Sequence, residues 1–229
     1  MFKLRTHPKS FQGLGNEAYA IVRRVKEITG LPFVSEVTDP REITPIYDLV
    51  DVFQVGSRNM HNYSLLKELG KIRKPILLKR GFAGLIKEWL HAADYLVQGG
   101  NEQILLCERG IRTFETSTRN TFDLNAIAYI KQYTSYPVIA DPSHGTGDRK
   151  LVIPLALAAA AAGADGLIIE THSHPEQALS DGFQTLNFSE FETLMSQLKK
   201  ILPALGRDLA SSFSYQPTLS SSPLVERSL

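Results

Sequence analysis

Three residues in the second half of the chain have the types and spacing of a divalent-metal site. His144 stands in DPSHGTG, just after the apolar run YPVIAD; Glu170 ends the run GLIIE; Asp181 stands in the LSDG that follows. One imidazole nitrogen and two carboxylates are donors that such a cation accepts. Plainer roles fit the same residues: His144 in a turn, Glu170 as a rim charge, and Asp181 as the first member of an Asp-Gly turn.

A second group is cationic. Arg58, Lys79, Arg80, Arg109 and Arg112 all follow apolar runs at or just past their ends. Arginine offers forked donors that match phosphate and carboxylate, lysine acts as a point charge, and Gly81 and Gly110 let backbone come close to a ligand. The group reads either as a binding site for small anions or as a solvated basic rim. Lys3, Arg5 and Thr6, followed by SFQGLG, could form a further anion clasp at the front. Cys107 closes an apolar run and reads as a small core residue. His172 and His174 lie near Glu170 and read as loop residues.

These positions are set by a regular alternation of elements. Short runs rich in branched residues, at 33–37, 52–55, 75–79, 103–107, 136–141 and 166–170, read as six buried parallel strands. Helical periodicity fills the gaps. In 16–29, Ala18, Ile21, Val22, Val25 and Ile28 fall on one face, and 148–163 is an Ala-rich run ending at Gly163. Glu36, Arg58, Lys79, Arg109, Asp141 with His144, and Glu170 stand at or just after the strands' carboxyl ends. In a (β/α)8 barrel those ends share one rim, where the chemistry of such folds is kept. A barrel needs eight strands, and the sequence offers six with a stump at FKLR; a doubly wound sheet accommodates six directly.

Composition sets the outer bounds. A chain of 229 residues with 43% hydrophobic residues and a formal net charge of +1 reads as one globular domain without general attraction to nucleic acid or membranes. The expected division is a catalytic domain over 1–203 and a flexible, Ser- and Pro-rich tail over 204–229. The opening MFKLRTHPKS has no apolar signal core, no run reaches the roughly twenty apolar residues of a spanning helix, and the single cysteine has no disulfide partner. Cytoplasm is the expected location.

In order along the chain, KLRTHPKSFQGLG, VGSRNMHN, PILLKRGF, ILLCERGIRTFETSTRNT, VIADPSHGTG and LIIETHSHPEQALSDGFQTL resemble the successive motifs of a known family. It is that of the microbial 3-deoxy-D-arabino-heptulosonate 7-phosphate (DAHP) synthases, related to the 3-deoxy-D-manno-octulosonate 8-phosphate synthases. The resemblance runs from about residue 3 to residue 195, and the ordered combination is what makes it specific. It implies a (β/α)8 barrel lacking its first strand, first helix and part of the second strand. It also implies condensation of phosphoenolpyruvate with D-erythrose 4-phosphate, releasing phosphate, with Mn²⁺ or a similar divalent metal, in a homo-oligomer. Arg58, Lys79 and Arg109 would hold phosphoenolpyruvate, and Lys3, Arg5 and Thr6 the sugar phosphate. Lys3 would reach between both substrates. His144, Glu170 and Asp181 would be metal ligands, and Lys3 and His144 the residues nearest the chemistry.

The sequence departs from the family pattern at two places. The pattern Lys-Pro-Arg-Thr-Ser appears as Lys3-Leu4-Arg5-Thr6-His7, and the Gly-Pro-Cys-Ser motif whose cysteine is a fourth metal ligand is absent, as is an Arg for phosphoenolpyruvate. Two other readings therefore stand beside the synthase: a non-catalytic subunit that binds phosphorylated ligands, and a Schiff-base aldolase in which Lys79 attacks a ketone.

Overall fold

The computed structural model describes residues 7–210. The expected FKLR stump, the clasp of Lys3, Arg5 and Thr6, and the end of the expected tail lie outside the described residues. Two compact units divide the rest: residues 7–78 with 87–104, and residues 79–86 with 105–210. All six expected strands are present, and every pairing described is parallel, so the chain is α/β.

The first unit runs α1 (Ala18–Thr29), β1 (Val34–Glu36), α2 (Ile43–Ile46), β2 (Val52–Val55), α3 (Tyr63–Gly70), β3 (Ile76–Lys79, its last residue in the second unit) and α4 (Ile86–Gln98, its first residue in the second unit). Val34 lies opposite Val52, and Phe53 opposite Ile76, which sets the register of β1, β2 and β3. Parallel neighbours need a long crossover between them, and α2 and α3 supply it. Asn62 starts α3 because its side chain accepts from the Leu65 N–H at 3.2 Å. Phe53, Leu65, Leu66, Leu69, Leu78, Trp89 and Leu96 are fully buried and make this unit's core. Trp89, on α4, also donates its indole N–H to the Leu78 carbonyl at 3.0 Å, tying helix to strand.

The second unit carries β4 (Ile104–Glu108, its first residue in the first unit), α5 (Leu124–Tyr133), β5 (Val138–Ala140), α6 (Pro142–Thr146), α7 (Arg149–Ala161), β6 (Gly166–Leu167) and α8 (Phe188–Ile201). Leu106 lies opposite Val138, and Ile139 opposite Gly166. β6 is shorter than the expected 166–170, although the Ile168 N–H still reaches the Ala140 carbonyl at 2.8 Å. The Ala-rich run does form α7, and its small side chains let Val152, Ala156 and Ala160 pack against Leu194, Leu198 and Leu202. A reciprocal cap starts α8: Asn187 accepts from the Glu190 N–H, and Glu190 accepts from the Asn187 N–H.

Two details differ from the expectations drawn from the sequence. α1 has its expected apolar stripe, yet Ile21, Val25 and Ile28 are 53%, 49% and 67% exposed and only Val22 is buried. Periodicity says that a face is apolar, not that something among the described residues covers it. The packed chain also continues past 203. Arg207 donates to the carbonyls of Ala160 and Ala164 at 3.0 and 2.6 Å, and Leu209 packs on the α7–α8 core. No described helix is long and apolar enough to cross a membrane.

Replacing the only tryptophan, Trp89→Phe, should cost about 1–3 kcal/mol through the void left and the lost hydrogen bond to the Leu78 carbonyl. Urea unfolding followed by circular dichroism tests this, and an unchanged midpoint would show that Trp89 does not tie α4 to its strand.

Candidate metal and anion site

The second unit brings together most of the residues singled out from the sequence. Lys79 ends β3, Arg109 follows β4, Asp141 follows β5, and Glu170 lies three residues past β6. Their convergence follows from the parallel pairing, which aligns like ends of successive strands.

Asp141 occupies the middle of this arrangement. It is fully buried, caps α6 by accepting from the His144 N–H at 3.1 Å, and takes the Lys79 ammonium at 2.6 Å. Burial alone would favour its neutral form. The ammonium of Lys79 and the hydrogen bonds from Lys79 and His144 outweigh that and hold the Asp141 carboxyl well below the usual carboxylate range. Lys79 responds in kind: burial opposes its charge, the Asp141 carboxylate favours it, and the net shift is upward. A lysine held protonated in this way lacks the free amine that Schiff-base formation needs.

The same carboxylate orients His144. Its ring Nδ1 lies 3.0 and 2.8 Å from the two Asp141 oxygens, which favours the tautomer with a proton on Nδ1. Nε2 is then left with a lone pair and sits 3.5 Å from Glu170 Oε1. Glu170 is placed by its backbone N–H, which donates to Ser143 Oγ at 3.1 Å. Asp181 adopts φ 56°, the only positive φ of a non-glycine residue among those described, and Gly182 follows because a Cβ there would lie 2.2 Å from the Pro175 carbonyl oxygen. His144, Glu170 and Asp181 each offer one ligand atom, and these atoms all lie within 4.8 Å of one another. Cation–donor distances near 2.0–2.2 Å bring donors to comparable separations, so this set fits a divalent ion after small adjustments.

The cations divide into different roles. Arg109 is 3% exposed, and its guanidinium lies 5.0 Å from the Phe82 ring centroid; Arg112 lies 4.6 Å from the same ring. Burial pulls the Arg109 pKa down, against the pull of Asp141, yet a guanidinium stays charged. Arg80 is different. Its Nη1 donates to Glu108 at 3.0 Å and to Asp123 at 2.8 Å, so it locks the strand-end loops together instead of facing a ligand. Glu108 also accepts from the Gly110 N–H at 2.6 Å, which fixes the turn that carries Arg109. Arg58 lies in the first unit, exposed in the turn Ser57–Asn59 after β2.

The remaining candidates take structural roles. Cys107 is buried in β4 and its thiol is pushed up by burial, as a core residue would be. The His172 ring accepts from the His174 N–H, which keeps both in the loop. Sequence reasoning names Asp141 only among the strand-end charges, without a partner, and passes over Glu108, Phe82, Arg119 and Gln184 as site residues. Only Asp141 leaves a signal, since an Asp three residues before His144 in DPSH is a helix-cap spacing.

Comparison with known proteins adds the ancestry. Residues 1–205 match the DAHP synthetase I family. The chain is 46% identical over 205 residues to the phospho-2-dehydro-3-deoxyheptonate aldolase of Thermotoga maritima, covering 90% of this chain and 61% of that protein. It is 33% identical to the 2-dehydro-3-deoxyphosphooctonate aldolase of Desulfatibacillum aliphaticivorans, covering 87% and 77%. The crystal structure of the Thermotoga DAHP synthase superposes with a TM-score of 0.88 at 45% identity, over 91% of this chain and 61% of that one. The chain thus spans about three fifths of the length of the Thermotoga enzyme that it matches. A match across almost all of the described residues, in sequence and in strand arrangement, establishes that this chain belongs to the DAHP synthetase I family.

Proposed function

We propose that the chain condenses phosphoenolpyruvate with D-erythrose 4-phosphate to DAHP and inorganic phosphate, the first step of the shikimate pathway. The observation that carries this reading is the metal-type triad of His144, Glu170 and Asp181 in one unit with the buried cations Lys79 and Arg109. Two anionic substrates need fixed positive charge, and an aldehyde acceptor needs an electrophile.

In this reading Lys79 and Arg109, with Arg58, hold the phosphate and carboxylate of phosphoenolpyruvate. Lys79 keeps its proton through Asp141, and Arg109 is kept in place by the Phe82 ring and the Glu108-bound turn. Lys3, Arg5 and Thr6 take the sugar phosphate, with Lys3 reaching toward both substrates. His144, Glu170 and Asp181 would hold Mn²⁺ or a similar ion, which supplies polarisation of the aldehyde oxygen when bound. Carbon three of the enol attacks the aldehyde carbon, water adds at carbon two, and phosphate leaves. Asp141 keeps His144 Nε2 free to coordinate by occupying Nδ1.

The expected frame is a (β/α)8 barrel to which this chain contributes six strands, its catalytic part reaching at least to the residues packed just past 203, assembled as a homo-oligomer in the cytoplasm. The parallel pairing and the place of the motifs at the carboxyl ends of the strands support the barrel.

With Mn²⁺, phosphoenolpyruvate and erythrose 4-phosphate, the purified chain should release phosphate only when both substrates are present, and a chelator should abolish the release. Release that survives metal removal would refute the assigned mechanism. Silence from a folded chain that still binds Mn²⁺ would favour a non-catalytic subunit. Asp141→Asn should weaken Mn²⁺ binding by about 10–100-fold, because His144 loses its anionic partner; calorimetric titration with affinity unchanged would remove Asp141 from the metal site.

A further inference from the structure

Two side chains with no assigned role, Arg119 and Gln184, join all three segments that carry the ligands of the proposed metal centre, and any role for them rests on that centre. Gln184 is fully buried. Its Nε2 donates to Glu170 Oε2 at 2.6 Å, and its Oε1 accepts from Arg119 Nη1 at 2.8 Å. An amide has one donating and one accepting end, and a guanidinium on its oxygen forces the NH₂ toward the carboxylate. Glu170 Oε2 is thereby engaged, while Oε1 stays 3.5 Å from His144 Nε2.

Arg119 touches the other two segments. Its Nη1 lies 3.6 Å from Asp181 Oδ1. Its backbone N–H donates to the Thr146 carbonyl at 2.9 Å, and the neighbouring Asn120 side chain donates to the His144 carbonyl at 2.9 Å. Gly147 completes the fit: at φ 68° it leaves open a space where a Cβ would come within 2.5 Å of Arg119 Cβ. This gives a reason for the second glycine of the GTG in DPSHGTG. Two carboxylates as close as Glu170 and Asp181 repel each other unless a cation lies near, and Arg119 supplies one.

We propose that Gln184 and Arg119 are positioning residues of the metal centre. Gln184 turns Glu170 so that Oε1 alone is left to a cation, and Arg119 fixes the amide of Gln184 while steadying Asp181.

The test is Mn²⁺ titration of the full chain without substrates, with unbound Mn²⁺ read by electron paramagnetic resonance. Gln184→Ala should weaken binding by about 10–100-fold, and Gln184→Glu, which sets a carboxylate against Glu170, by at least as much. Arg119→Ala should weaken binding in the wild-type background and add less than that loss to Gln184→Ala, because part of its effect runs through the amide and part through Asp181. Bound Mn²⁺ should also change its spectral line shape in the variants, which a general loss of stability does not produce. Variants with wild-type circular dichroism that bind within about threefold of wild type, or fully additive losses in the double variant, would overturn the inference. Should Gln184→Ala not fold, Arg119→Ala, at a partly exposed position, is judged by the same criterion. A wild-type chain that binds no Mn²⁺ would instead overturn the metal centre itself.

Discussion

Asp141 carries a full negative charge inside the second unit, between the ammonium of Lys79 and the imidazole of His144. An isolated carboxylate at that depth would be neutralised by protonation, and only the two partners make the charge tolerable. The consequence runs in both directions. Lys79 remains a cation at the end of β3, and His144 presents Nε2 toward Glu170. One buried charge thereby joins the cationic group proposed to bind anions to the proposed metal ligands.

A second buried network holds the frame around it. Arg80 binds Glu108 and Asp123 and also donates to the Gly84 carbonyl, so three loop segments are tied at one guanidinium. Buried ion pairs of this kind give little net stability, because desolvation offsets most of the attraction. Their effect here is geometric. Glu108 fixes Gly110, the Gly110 turn follows Arg109, and Phe82 on the Arg80 loop lies under both Arg109 and Arg112. Basic residues that look alike in sequence thus divide into Arg80, held by two carboxylates, and Arg109 and Arg112, set against an aromatic ring.

The relatives put these networks in context. The chain matches proteins named for a heptulosonate and for an octulosonate product, at 46% and 33% identity. Triad, strand-end lysine and the arginine after β4 all lie in the matched span, as does the segment that holds Lys3, Arg5 and Thr6.

The sequence alone determined the strand and helix order, because short branched runs and 3.6-residue periodicity are local signals. It also determined the chemical types at the strand ends, including His144, Glu170 and Asp181, since each stands in a motif that is readable without its neighbours. Tertiary structure decided the partners. Arg80 and Lys79 are adjacent and both cationic, yet one meets Glu108 and Asp123 and the other meets Asp141, and only the fold brings residues so far apart in sequence together. Gln184 and Arg119 stand inside quoted motifs, yet nothing local marks them as partners, and their bond spans 65 positions. The open stripe on α1 has the same cause: periodicity records which side chains avoid water, whereas burial depends on what the rest of the chain sets against them.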